Sequence, residues 1–292
     1  MMITLEDGKY GRKAVLNMPW SDQLIDYFVQ NKVVELELNM AKGWRGVNVA
    51  FLAKLTNLKS LDILDLVIHD VSSIHCLHGL KRLQVTTYCS TGIDFSAFPE
   101  LEDCILEWRA GCDSLFECVT LKKLLISRYK GKTTIPFATL INLESLGILS
   151  GPIENLHGLS GLTKLRSLRL GDLRRLTSLT GIEGLANLEE LEIDTCRRIQ
   201  SIKEVGSLSR LKRLGLNNVH DIDSLAPLAS LQNLQSLGFV ESTNVLDGDL
   251  TPLLHLKSLT RLSFQNRRHY SHRREEFDAY TNAKPYTRLT IE

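Results

Sequence analysis

Leucine recurs at two spacings in this chain, and the switch between them is the strongest constraint on its fold. In NLHGLSGLTKLRSLRLGD, residues 155–172, Leu156, Leu159, Leu162, Leu165 and Leu168 stand three apart, and Leu170 then follows after two. A helix places apolar residues three and four apart, and a half-buried strand places them two apart. The same switch closes LANLEELEID (Leu185, Leu188, Leu191, Ile193), LSRLKRLGLN (Leu208, Leu211, Leu214, Leu216) and LQNLQSLGFV (Leu231, Leu234, Leu237, Phe239). With the first residue of each two-spaced pair as an anchor, anchors fall at Leu36, Leu61, Leu83, Cys104, Leu124, Leu146, Leu168, Leu191, Leu214, Leu237, Leu262 and Leu289. Their separations by subtraction are 25, 22, 21, 20, 22, 22, 23, 23, 23, 25 and 27. A period of this kind marks a repeat architecture.

The pair anchor and anchor+2 is a short strand with two inward side chains, so anchor−1, +1 and +3 point outward. Apolar residues three apart suit a tight return path of 3₁₀ character, where three residues make one turn. No coil can bury its leucines alone, and stacking coils gives one continuous core. The expected architecture is a right-handed α/β solenoid of about twelve parallel strands. Its convex side is short 3₁₀ or helical turns. The expected divisions are a cap over 1–32, repeats over 33–265, and a C-terminal insert with a last strand over 266–292, all in one continuous solenoid domain.

These residues resemble the leucine-rich repeat family, with its pattern L-x-x-L-x-x-L-x-L-x-x-N/C-x-I/L-x-x-I/L. The fullest copy is LANLEELEIDTCRRIQSI, Leu185 to Ile202, with Cys196 in the N/C position. The repeat is similar to the 22-residue class of internalins and phosphatase-regulator proteins. The resemblance spans roughly residues 33–265, is strong through 140–240 and blurs at 86–135. The N/C position itself reads Leu66, Tyr88, Arg109, Tyr129, Gly151, Leu173, Cys196, Val219 and Ser242. The family's buried asparagine ladder is thus largely absent, and its backbone hydrogen bonds must be made another way.

At the N-terminus a hairpin is expected around Asp7 and Gly8, then a helix within PWSDQLIDYFVQNK with Ser21 as N-cap and Trp20 packed on Ile25. A strand Val34–Leu38 follows. At the other end, residues 266–286 interrupt the last repeat with Arg267, Arg268, Arg273 and Arg274; a loop and a helix near Glu275–Asn282 are expected, then a strand Arg288–Glu292.

The formal charge of +1 gives no global field of the kind a dedicated nucleic-acid or membrane-surface binder shows. No stretch approaches the ~18 apolar residues of a membrane span, and the first residues lack the basic-then-apolar order of a signal peptide. Of six cysteines, Cys104, Cys118 and Cys196 sit at inward positions. Free buried thiols and a cytoplasmic location are the expectation. No phosphate loop, HExxH or nucleophile grouping occurs, and the spacing of His75, Cys76 and His78 fits no common zinc site. No catalytic residue, metal or cofactor is therefore assigned.

What remains is surface. Glu190, Glu192 and Asp194 put three carboxylates on one strand, flanked by Arg169 and Arg213. They read either as a neutralised solvated face or as an acidic spot for a partner's Lys or Arg. Tyr88, Trp108, Arg109, Arg128 and Tyr129 fall just past the strands of the irregular coils. They read as a rim rich in interface anchors, with an inward ladder position as the alternative for each tyrosine. The functional expectation is a monomeric, non-catalytic scaffold that binds a protein through its concave face and rim, one version being a bacterial immunity or effector-type protein. The alternative is nucleic-acid binding through Arg109, Arg128, Lys130, Lys132 and the arginine insert.

Overall fold

Between the first leucine of a three-spaced run and its anchor, the leucines donate their amides to the carbonyl three residues before. Leu159 N bonds Leu156 O, Leu162 N bonds Leu159 O, and Leu165 N bonds Leu162 O, each at 2.9 Å. The threes are therefore literal i→i−3 bonds, and most coils carry a 3₁₀ turn, such as Ser72–Cys76, Asp113–Glu117, Lys203–Ser207 and Ala226–Ser230. The chain then extends into a five-residue strand and the twos begin. The computed structural model describes residues 3–278, in two compact units, Met1–Ile126 and Ser127–Glu292.

In the first unit, Ile3–Asp7 and Arg12–Leu16 form an antiparallel hairpin whose turn closes with Gly8 N on Gly11 O at 2.8 Å. Val33–Asn39, Ser60–Leu64, Arg82–Thr86 and Asp103–Glu107 then add in chain order, all parallel. The anchors stand side by side: Leu36 pairs with Leu61, Leu61 with Leu83, and Leu83 with Cys104. All four are buried. Cysteine can stand in for leucine at 104 because the position asks only for an apolar group with no buried polar atom to satisfy.

The N-terminal cap differs in detail from its expectation. The helix is Leu24–Gln30, begins after Gln23, and has no side-chain cap. Ser21 contributes its carbonyl to Leu24 N at 2.9 Å instead. Trp20 stands edge-on against Phe28 (5.4 Å between centroids) and flat on Phe51 (4.1 Å), two ring contacts beyond the expected staple. Buried Glu35 holds the hairpin turn by accepting from the amides of Tyr10 and Gly11.

In the second unit, Ser145–Leu149, Ser167–Gly171, Glu190–Asp194, Arg213–Asn217, Ser236–Val240 and Arg261–Phe264 run parallel in chain order, with Leu146, Leu168, Leu191, Leu214, Leu237 and Leu262 in register. Every one of these anchors is fully buried. After the last of these strands, Arg274–Phe277 forms a 3₁₀ turn. Arg274 Nε donates to Leu262 O at 2.8 Å, and Phe277 meets Phe264 edge-on at 6.0 Å. The insert thus packs against Arg261–Phe264, the last described strand. The expected helix beyond Asp278, the strand Arg288–Glu292 and the anchor Leu289 lie outside the described residues.

Candidate functional site

Where each strand ends, the chain must turn a corner without the asparagine ladder. In the second unit it does so with a left-handed residue at anchor+4: Arg128, Ser150, Asp172, Thr195, Asn218 and Glu241 all have φ between 50° and 61°. L-residues adopt this conformation at a cost of roughly 1–2 kcal/mol. The compensation is a main-chain bond, because the turned amide points at the next coil. Arg128 N reaches Leu149 O (2.8 Å), Ser150 N reaches Gly171 O (2.8 Å), Asp172 N reaches Asp194 O (2.9 Å) and Thr195 N reaches Asn217 O (2.9 Å). This main-chain ladder supplies the bonds that buried asparagines would otherwise make. A side-chain ladder runs along it: Ser150 Oγ to Asp172, Asn218 Nδ2 to Thr195 Oγ1, and Ser242 Oγ to Asn218 Oδ1.

The first unit makes the same main-chain bond in its second repeat coil, Asp65 N to Thr86 O at 3.1 Å, but without a left-handed residue. Buried Asp65, at anchor+4, accepts from the amides of Val67 (2.6 Å) and Ile68 (3.2 Å), so the ladder function falls one residue early. Leu66 is thereby turned out to 43% exposure and Val67 to 51%. In the next coil Thr87 and Cys89 are buried and Tyr88 between them is turned out to 64%. In the coil before, Met40 follows the strand end and is 37% exposed. Trp108, half-buried, packs against Phe116 at 5.7 Å. Three successive coils thus place large apolar side chains in water just past the strand, Met40 four residues after its anchor, Leu66 and Tyr88 five and Val67 six, with half-covered Trp108 four after its anchor in the next coil. Of these, Met40, Leu66 and Val67 escaped the sequence reading, which took position 66 as inward.

Three expected surface residues are instead internal. Arg109 is 8% exposed and donates inward, through Nη1 to Thr87 Oγ1 (3.1 Å), Cys89 O (3.2 Å) and Cys89 Sγ (2.9 Å), and through Nε to Glu107 O (3.3 Å). Tyr129 is buried, edge-on to Phe137 at 5.3 Å. In both coils anchor+5 falls after the corner, where the in–out alternation of the strand has already been broken, and the side chain turns into the ladder position. Glu192, expected outward at anchor+1, is fully buried and accepts from Asn217 Nδ2. It is thus committed within the sheet, and the acidic spot reduces to Glu190 and Asp194. Glu190 lies 3.6 Å from Arg213 Nη1, Asp194 accepts from Thr195 Oγ1 at 2.9 Å, and half-buried Arg169 is in register with Glu192. Arg128 is exposed.

Charge on the concave side of the first unit is also internally matched. Burial raises the Glu37 carboxyl, but hydrogen bonds from Lys13, Lys42 and Asn39 outweigh it and bring the pKa down to about 2. The lysines stand at 2.6 and 2.9 Å. Burial raises Asp62, with Arg82 Nη1 at 3.3 Å acting against it. All six cysteines are free, and burial pushes Cys118 up to about 11 and Cys196 to about 12. Among the described residues no three His, Cys, Asp or Glu side chains are grouped to hold a metal, and no helix is long and apolar enough to cross a membrane.

No family model and no curated protein matches the sequence. Solved structures do. An internalin, InlF, from Listeria monocytogenes superposes with a TM-score of 0.68 at 23% identity, over 82% of this chain and 70% of its own. A leucine-rich repeat protein of Leptospira interrogans gives 0.62 at 18%, over 87% and 77%. This is a leucine-rich repeat fold. The TLR13 chain of a TLR13–ssRNA13 complex gives 0.57 at 21%, with 80% of this chain covering 40% of that one. The leucine-rich repeat fold accounts for the parallel strands and 3₁₀ returns, while the side chains that would meet a partner are this chain's own.

Proposed function

We propose that this leucine-rich repeat chain is a non-catalytic scaffold that binds a protein partner through the concave face and adjacent rim. The contact is centred on Leu66, Val67 and Tyr88 of the first unit, with Met40 and Trp108 beside them. The observation that carries this reading is the row of large apolar side chains left in water where the ladder shifts register. Exposed apolar groups clustered next to polar surface are the usual mark of an interaction site, and Tyr and Trp are the commonest anchors of one. The finer proposal is a monomer acting in the cytoplasm as a bacterial immunity or effector-type protein, on the likeness to proteins of Listeria and Leptospira.

The test compares proteins retained by the wild type with those retained by Tyr88→Ala, Leu66→Ser and, as a control outside the proposed rim, Arg197→Ala. A true partner is kept by the control and lost from the rim variants. With that partner purified, Tyr88→Ala should weaken binding by about 2 kcal/mol, roughly thirtyfold, without a change in melting temperature. Equal binding by all variants defeats the rim assignment, and Glu190, Asp194, Arg169 and Arg213 become the next surface to test.

The nucleic-acid reading has less support. Its Arg109 is buried, Arg267 Nη2 is spent on Thr243 O at 3.1 Å, and Arg274 on Leu262 O and Asp278. That ssRNA is present with TLR13 is a property of that complex.

A further inference from the structure

We propose that Arg174, Arg175, Arg197 and Arg198, on two consecutive coils of the second unit, form a surface that binds a short acidic segment of a protein. This ligand is separate from the partner of the rim, and the proposal does not rest on that reading. The sequence carries the same arginine pair twice, as LRRL (173–176) and CRRI (196–199), six and seven residues past the anchors Leu168 and Leu191. The anchors are in register, and the two corners have the same form. Asp172 and Thr195 are left-handed at φ 50° and 55°. Leu176 N then bonds Leu173 O at 3.1 Å, and Ile199 N bonds Cys196 O at 3.3 Å. Leu173, Leu176, Cys196 and Ile199 are fully buried and fix each turn from within, while all four arginines between them are exposed. Two like turns one coil apart, ~4.8 Å, set the arginines in a two-by-two block.

The counter-ions are distributed unevenly over this block. Asp172 Oδ1 lies 2.9 Å from Arg174 Nε, and Glu154 Oε1 lies 3.7 Å from Arg175 Nη1. In the next coil Thr195 stands where Asp172 stood, and among the described residues no carboxylate pairs with Arg197 or Arg198. Two guanidiniums are thus left unmatched beside two others, in a chain whose formal charge is only +1. Such a block attracts anions, and arginine forks hold carboxylates in pairs. The block is also short. Exposed Glu154 lies on the coil before it, and exposed Asp221 and Asp223 lie on the coil after. A nucleic-acid strand crossing the coils would run onto these carboxylates, whereas two or three Asp or Glu side chains fit between them.

The experiment titrates the folded full-length chain into fluorescein-labelled hexaglutamate and, in parallel, hexaglutamine and a twelve-nucleotide single-stranded RNA, and reads anisotropy at low salt, where exposed charges are least screened. Hexaglutamate should bind at least about tenfold more tightly than either of the other probes. Arg197→Ser with Arg198→Ser should weaken hexaglutamate at least about fivefold with the melting temperature unchanged, and Arg197→Lys with Arg198→Lys should keep most of the binding. Lys164→Ser with Arg210→Ser removes the same charge from exposed residues elsewhere in the unit and should leave it within about twofold. Equal binding of hexaglutamate and hexaglutamine overturns the proposal with no variant needed. An equal loss in the two serine double variants also overturns it, because the attraction is then diffuse. Tighter binding of the RNA, lost on removing Arg197 and Arg198, overturns the choice of an acidic peptide as ligand.

Discussion

Glu192 stands one residue from Leu191 and on the other side of its strand. Simple alternation puts the leucine in the core and the carboxylate in water, with losses of about 2–5 kcal/mol for Leu191→Ala and about half a kcal/mol or less for Glu192→Ala. The structure keeps the first expectation and changes the second. Because Glu192 is buried and receives the Asn217 amide, truncation leaves a buried donor without its acceptor. Glu192→Ala should therefore cost about 1–3 kcal/mol. In a double-mutant cycle with Asn217→Ala, urea melts should show coupling of at least about 0.5 kcal/mol; additive losses would show that the bond contributes nothing. Glu37 makes a pH prediction. Its folded pKa of about 2 lies below the ordinary 4.5, so the unfolded chain takes up the proton first as pH falls. The stabilisation is present above about pH 4.5 and is lost between there and pH 2. Glu37→Gln should flatten that part of the urea-midpoint profile, and an unchanged acid slope would contradict the assignment.

At the scale of the element, the corner after each strand separates what could be read from what could not. Strand register was legible, because anchor and anchor+2 alternate with outward residues and each anchor is a large apolar side chain or Cys104. The corner was less so. Ser150, Asp172, Thr195 and Asn218 are polar residues at a fixed offset, and Asn and Asp tolerate positive φ better than most, so a signal was present. Arg128 and Glu241 give none, since their left-handed turn is imposed by the stacking of the coil and not by their chemistry. The same break in alternation hid the inward course of Arg109 and the outward course of Leu66, whereas the inward course of Tyr129 is one of the two readings its position allowed. The candidate site was therefore half legible: Tyr88 and Trp108 came from composition, whereas Leu66 and Val67 depend on Asp65 taking the ladder role one residue early. The strain is measurable. Glu241, exposed at φ 61°, should gain roughly 0.5 kcal/mol as Glu241→Gly and lose about 1 kcal/mol as Glu241→Val. The reverse order in denaturant melts would mean that the corner is not left-handed.

For the whole molecule, a near-neutral formal charge and an apolar rim set the salt response. Partner binding centred on Leu66, Val67 and Tyr88 should change by less than about threefold between 50 and 500 mM salt, because contacts of this kind are not screened. Nucleic-acid binding with several phosphate contacts would fall by orders of magnitude over the same range, so one titration separates the two readings. The corner ladder of the second unit also bears on how such a chain could be rewritten. Its main-chain bonds run from Arg128, Ser150, Asp172, Thr195 and Asn218 to the next coil, so the coils stay joined there even when the side chains at these positions and at Glu241 are changed. These six positions form a column spaced by about one strand separation, ~4.8 Å, and the residues there already range from a cation to two carboxylates. With β-branched side chains avoided, the column is a ready place for a combinatorial library: a recognition surface whose letters can be changed while the spine that carries them stays the same.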